Sequence, residues 1–205
     1  MVVKQIDIDS LDFAKSGGLI PAVIQDHKTS RVLMLGYMNE SSLKKTIVDG
    51  KVCFFSRSKN RLWTKGETSG NFLELISIGK DCDSDSLLLL VDAKGPTCHL
   101  GSVSCFESLS PDLTFLGELE KVIQQKIVSK DEKSYTFQLS KDPLKAAQKV
   151  GEEGVEVALA AAAQSEGQLI DEAADLIYHL TVCLNSKSLS IADVMKKLKE
   201  RHHSD

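Results

Sequence analysis

The chain has 205 residues, a net charge of -4 and an aromatic content of 5%. That length admits one or two domains and is enough to bury a real core. The mildly acidic balance and scarcity of aromatic platforms give no global case for nucleic-acid or anionic-membrane binding. The first residues, MVVKQIDIDSLDFAKSGG, carry acids where a signal peptide needs a continuous apolar stretch. The most apolar stretches, Leu87 to Val91 and Val155 to Ala163, fall short of the roughly 20 residues that span a bilayer. These features predict a soluble, cytoplasmic protein with no membrane and no nucleic-acid partner. Five cysteines is an odd count, and a reducing compartment disfavours a disulfide framework. Cys53, in an apolar run, and Cys183, in a helical pattern, read as small buried hydrophobes.

Taken in chain order, the first half has the pattern of strands. Pro21 to Gln25, Arg31 to Leu35, Val52 to Ser56, Phe72 to Ile78 and Ser86 to Val91 are short apolar or alternating runs, bounded by Gly, Asn, Asp and Ser. One helix is expected over Glu40 to Val48, with Asn39 placed to cap it. These elements predict a small, mainly antiparallel sheet whose loops carry the unusual residues. After Glu107 a Ser/Pro-containing stretch, SLSPD, interrupts the pattern near residues 107–112.

Beyond that stretch the periodicity is helical. Leu113 to Lys130, Pro143 to Gln164, Leu169 to Asn185 and Ile191 to Arg201 show apolar spacings of three and four. Pro143 suits a first helical turn, and Gly167 falls in the expected turn between the second and third of these helices. The fold class expected is α+β multidomain: a β-rich metal-binding domain over 1–108, then an all-α domain over 112–205.

Three motifs carry chemistry. The segment from Asp81 to Phe106, DCDSDSLLLLVDAKGPTCHLGSVSCF, holds Cys82, Cys98 and Cys105, whose thiolates suit a soft ion such as zinc. The same segment holds Asp81, Asp83 and Asp85, which suit a hard, oxygen-preferring ion such as magnesium. Between two strands, SRSKNRLWTKGETSGN gathers Arg57, Ser58, Arg61, Trp63, Lys65, Gly66, Glu67, Ser69 and Gly70. Cations, hydroxyls and exposed amides of this kind bind anions, although an ordinary basic hairpin has the same composition. Trp63 alone is more often packing than ligand contact.

In the helical half, Glu152, Glu153 and Glu156 form EExxE, and Glu172 with Asp175 forms ExxD. These spacings put acids on one helical face. If residues 164–168 reverse the chain, Glu156 and Asp175 stand at the same height, with Glu153 and Glu172 within about one turn, on the order of 5 Å. Such a cluster repels itself unless cations hold it, which suits Mg²⁺. EExxE alone is equally a solvated acidic face. Lys149, one turn before Glu153, either meets a phosphate or forms a helix-surface ion pair.

MLGYMN (Met34 to Asn39), the basic loop and the Asp81 to Phe106 segment together resemble the phosphoribosyl-AMP cyclohydrolases. KVGEEGVEVALAAA and DEAADLIYHL resemble the phosphoribosyl-ATP pyrophosphatases, relatives of the all-α MazG-type nucleotide pyrophosphatases. The whole chain is therefore similar to the bifunctional histidine-biosynthesis proteins that carry both activities, with phosphoribosyl-ATP and phosphoribosyl-AMP as substrates. The resemblance implies zinc at Cys82, Cys98 and Cys105, completed across a homodimer interface, and Mg²⁺ at Asp81, Asp83 and Asp85. It implies a second Mg²⁺ site at Glu153, Glu156, Glu172 and Asp175, beside Glu152, since only some residues of EExxE can face one ion at once. One departure is visible, because Asp92-Ala93-Lys94 stands where Asp-Gln is expected before Gly-Pro.

Opening an adenine ring between N1 and C6 needs an activated water and a proton carrier. A zinc held by three thiolates keeps a fourth position for water and acidifies it. His99, beside Cys98, is the candidate proton shuttle, against a purely structural hydrogen bond. Glu153 and Glu156 are the catalytic candidates for pyrophosphate release, which needs neutralised phosphates and an aligned water. Two other readings compete. One is a zinc-stabilised binding module fused to a helical dimerisation domain. The other is a house-cleaning nucleotide pyrophosphatase with a regulatory zinc domain.

Overall fold

Strict alternation along Ile20–Asp26 buries Ile20, Ala22 and Ile24 on one face and makes this segment β1. In a computed structural model of the chain, which describes residues 6–106 and 111–202, β1 lies inside a four-stranded mixed sheet. The other strands are β2 (Val32–Met38), β5 (Leu73–Lys80) and β6 (Leu87–Ala93), in the order β2-β1-β6-β5. β1 pairs antiparallel with β2 and parallel with β6, so the sheet is mainly antiparallel, as expected, with one parallel pair at its centre. The parallel pair follows from β1 and β6 being far apart in sequence, with room for long crossovers between them. β5 and β6 form an antiparallel hairpin whose loop is residues 81–86. A register shift between Leu75 and Ser77 keeps Leu73, Leu75 and Ile78 all in the core.

The segment read as a basic loop contains a strand of its own. β3 (Cys53–Ser56) and β4 (Arg61–Thr64) pair as a separate two-stranded hairpin, turning at Asn60 with φ 48°. Phe54 stacks on Trp63 with ring centroids 5.8 Å apart. Its ring also lies over Gly36, where an added Cβ would come within 2.3 Å of it. A side chain at that one position would lift the hairpin off β2. Helix α1 (Glu40–Asp49) matches its expected span, and Asn39 and Ser42 form a reciprocal capping box. Cys53 is fully buried, as its setting predicts.

The chain divides into two units, Met1–Phe115 and Leu116–Asp205. The first holds the sheet; the second is helical. Residues 107–110 of the expected linker lie outside the described residues. The helices are α2 (Thr114–Ser129), α3 (Tyr135–Lys141), α4 (Pro143–Ala163), α5 (Glu166–Ser186) and α6 (Ile191–His202). The short α3 carries too few residues to show a period and was not anticipated; Ser134 caps it. Asp142 caps α4 with Pro143 in the first turn. Only Gln164 and Ser165 separate α4 from α5, and Ser165 forms a capping box with Gln168. Gly167 therefore sits inside the first turn of α5, not in the reversal itself. The core of this unit is Ile123, Leu139, Ala146 and Val182, with Cys183 packed at its margin. Glu120 Oε1 accepts from Asn185 Nδ2 (3.1 Å) and from the amide of Ile191 (2.9 Å), tying α2 to α5 and to the start of α6.

Candidate functional sites

In the β-rich unit the residues of interest collect at opposite ends of β6. The hairpin loop before it carries Asp81, Asp83 and Asp85, each offering one carboxylate oxygen within 4.8 Å of the others. Asp81 Oδ1 accepts from the amides of Asp85 and Ser86, which curls the loop and converges its acids. Lys15 sits between Asp83 and Asp85, its Nζ 2.5 Å from each. The pairing with Asp83, then Asp85, raises the Lys15 pKa. Lys15 holds the Asp85 carboxyl below its ordinary range. A self-repelling trio that recruits an ammonium is a set of hard oxygen donors suited to a divalent cation.

Cys82 lies in that same loop, whereas Cys98 and Cys105 follow the other end of β6. Seven strand residues at about 3.3 Å each put roughly 20 Å between the two ends. Among the described residues the three thiols accordingly form no common cluster within one chain. Cys98 and Cys105 do meet. Burial first, then the neighbouring Cys98, push the Cys105 thiol up, while the Lys65 charge opposes the shift. A thiol pushed up beside a second thiol is the donor chemistry a soft cation relieves. The position of Cys105 is fixed by its amide on Leu33 O (2.8 Å) and by Ser104 Oγ on Val32 O (2.7 Å).

Beside these thiols opens a cavity of about 370 Å³. Of the anticipated anion-binding set, Trp63, Lys65, Gly66 and Ser69 line it, together with Cys98 and His99. His99 is exposed, with Nδ1 3.9 Å from Cys98 Sγ. Lys65 is only 8% exposed, so its charge is held close to the thiols. Arg57, Ser58, Arg61, Glu67 and Gly70 do not line the cavity. Arg57 packs over the Tyr37 ring, 3.8 Å from its centroid. Arg61 pairs with Glu67 (2.7 Å), and Glu67 also accepts from the Thr64 amide, so these two brace the loop. Gly70 closes it through its amide on Gly66 O (2.9 Å). Thr68, Asn71, Pro96 and Gly101 line the cavity unanticipated. Asn71 could have been found from its place in the motif. The side chain approaches Gly95 so closely that a Cβ there would meet its Oδ1 at 2.4 Å.

In the helical unit the antiparallel α4 and α5 bring Glu153, Glu156 and Glu172 together, one oxygen of each within 4.8 Å of the others. Asp175 and Glu152 are outside this tight group. Asp175 is exposed on α5, and Glu152 instead accepts from Gln148 (2.6 Å) and Lys149 (2.9 Å). Of the two readings of Lys149, the ion pair is the observed one, since its Nζ also lies 3.1 Å from Glu153 Oε1. Glu153 is 4% exposed, an unusual burial for a carboxylate. Glu156 is raised above the ordinary carboxylate range by its hydrogen bond with Glu153, then by burial and by the Glu172 charge. Three carboxyls sharing space in this way suit a divalent cation.

The family model of phosphoribosyl-AMP cyclohydrolase matches residues 34–107, and that of phosphoribosyl-ATP pyrophosphohydrolase matches residues 116–202. A Campylobacter jejuni protein named "Histidine biosynthesis bifunctional protein HisIE" is 53% identical over 197 residues, covering 95% of each chain. A Pasteurella multocida protein of the same name is 52% identical, over 94% of this chain and 98% of that one. Its namesake from Escherichia coli is 50% identical, over 94% of this chain and 95% of that one. The resemblance drawn from the motifs therefore holds along nearly the whole sequence. With both domains matched in order and about half of all residues shared, the chain belongs to the family of bifunctional histidine-biosynthesis proteins.

Proposed function

We propose that the helical domain hydrolyses phosphoribosyl-ATP to phosphoribosyl-AMP and pyrophosphate, and that the β-rich domain then opens the adenine ring between N1 and C6. The observation that carries this reading is the coincidence of both family matches with a built site in each unit.

Glu153, Glu156 and Glu172, with Asp175 nearby on α5, would hold magnesium, which would supply charge neutralisation for the triphosphate. Glu156, exposed and next to buried Glu153, accepts the proton of the attacking water. Lys149 holds Glu152 and Glu153 in place. In the β-rich domain, Cys98, Cys105 and the Cys82 of a second copy would hold zinc, which would supply a water acidified toward neutral pH. His99 carries the proton to the ring nitrogen from the cavity wall. Trp63, Lys65, Gly66 and Ser69 orient the nucleotide there, and Lys65 faces its anionic part. Asp81, Asp83 and Asp85 would hold a second magnesium, which would offset phosphate charge.

Since one chain separates Cys82 from Cys98 by the length of β6, the zinc site needs Cys82 of a second copy, and the active form is a homodimer. Val155, Leu159, Ile170 and Ile177 leave apolar area exposed on α4 and α5, which suits the same association. Free cysteines throughout fit a reducing, cytoplasmic setting, and no described helix is long and apolar enough to cross a membrane. A MazG-like arrangement of the helical domain fits its antiparallel acidic pair. A regulatory zinc domain on a house-cleaning enzyme is not favoured, because the cyclohydrolase match comes with its own cavity.

The test is to supply purified protein with phosphoribosyl-ATP and follow pyrophosphate and ring-opened product together. Both should form, in that order, and selective removal of zinc should stop only the second. A preference for ordinary deoxynucleoside triphosphates would overturn the reading.

A further inference from the structure

Behind the Glu153 carboxylate lies a buried polar relay that the proposed reaction does not use. His179, on α5, is 6% exposed, and its Nδ1 lies 3.4 Å from Glu153 Oε1. That nitrogen is buried and makes no hydrogen bond in the present geometry. On the other side of the ring, Nε2 is 3.2 Å from the hydroxyl of Tyr135. The Tyr178 ring packs edge-on against the imidazole, with centroids 5.2 Å apart, and its own hydroxyl is 2.8 Å from Thr136 Oγ1. Tyr135 of α3 and Tyr178 of α5 thus hold a single imidazole against the most buried acid of the cluster, and Thr136 of α3 in turn holds Tyr178.

We infer that His179, oriented by Tyr135, is a positioning residue that fixes the Glu153 carboxylate for cation binding. The inference rests on reading Glu153, Glu156 and Glu172 as a magnesium site. A carboxylate accepts only, so a neutral ring facing it must present N–H at Nδ1, which leaves Nε2 to accept the Tyr135 hydroxyl. The contact of 3.4 Å is a few tenths of an ångström beyond a good hydrogen bond. Such contacts commonly tighten only when a site is loaded. An orphaned buried donor this close to a carboxylate is hard to explain by packing alone, because an apolar side chain would fill the space with no unsatisfied nitrogen. Partners behind a metal-binding group typically change affinity 10- to 100-fold when removed.

The experiment titrates wild type, Glu172→Gln, His179→Ala, His179→Asn and Tyr135→Phe with Mn²⁺, reading free ion by electron paramagnetic resonance. Ions lost between wild type and Glu172→Gln define the helical-domain site and separate it from Asp81, Asp83 and Asp85. His179→Ala should weaken those ions by about 10- to 100-fold. It should lower kcat for pyrophosphate release more than it raises KM, and leave ring opening of supplied phosphoribosyl-AMP intact. His179→Asn, which keeps a donor near Nδ1, should recover part of the affinity; Tyr135→Phe should lose an intermediate amount. Wild-type Mn²⁺ affinity in folded His179→Ala overturns the inference. If His179→Ala does not fold, unchanged affinity in Tyr135→Phe overturns it instead. No difference between wild type and Glu172→Gln sinks the underlying magnesium reading, a distinct result.

Discussion

The two halves of this protein gather charged donors by opposite means. In the helical unit, spacings of three and four along α4, returned by a two-residue reversal into α5, bring Glu153, Glu156 and Glu172 together inside one chain. In the β-rich unit, β6 runs straight through the metal-ligand segment and carries Cys82 and Cys98 to opposite ends of a strand. A helix closes ligand spacing at about 1.5 Å per residue and an extended strand opens it at about 3.3 Å. Ligands sixteen residues apart in sequence, as Cys82 and Cys98 are, can therefore need a second molecule when a strand lies between them.

The sharpest way to break this contrast is to disable one half. Glu156→Gln should lower pyrophosphate release by at least about 100-fold, since it removes a proposed ligand and not merely a supporting group. Ring opening of supplied phosphoribosyl-AMP should persist. Loss of both activities from a folded variant would mean that the halves do not work independently.

The strand argument predicts complementation. Cys82→Ser and Cys98→Ser should each abolish ring opening. When their subunits are mixed and exchanged, about half the dimers are hybrids and each hybrid regains one intact site, restoring about a quarter of wild-type activity. Zero recovery after proven exchange would return the zinc site to a single chain.

A smaller effect is expected at Gly66. Its φ of 92° and a would-be Cβ 2.6 Å from the Asn71 backbone make Gly66→Ala a strained substitution. The cost should be about 1–3 kcal/mol, read by denaturant unfolding of the β-rich unit, with pyrophosphate release unaffected.

The mildest effect concerns pH. Because Glu156 is raised in the fold, its protonated form is the one the folded state favours. Its contribution is present below the ordinary glutamate range and fades as pH climbs through the raised value. Stabilisation by added Mg²⁺ should consequently grow across that interval, from about pH 4 upward, as measured by thermal melts of wild type against Glu156→Gln. Equal Mg²⁺ stabilisation of both proteins at every pH would remove Glu156 from the site.

Several features are legible in the sequence alone. Asn39 before a helix, Pro143 in a first turn and the alternation of β1 are local rules in which a few adjacent residues settle the backbone. α3 is not legible there because seven residues hold fewer than two turns, too little to display a period. Nor is β4, because Arg61 to Thr64 lies among charged and polar neighbours and takes its strand form from pairing with β3. Within the basic loop, Arg57 and Arg61 turn to Tyr37 and Glu67, while the less conspicuous Asn71 lines the cavity.

By itself, the sequence determined the two-part organisation, the family and the identity of the acids and thiols, because these depend on residue type and short-range spacing. Only the tertiary structure decided which of them meet. The tertiary fold brings Lys65 of the basic segment to Cys98 and Cys105, and the packing of α3 and α5 sets Tyr135 and His179 behind Glu153. Those juxtapositions depend on contacts between residues dozens of positions apart, which no local period encodes.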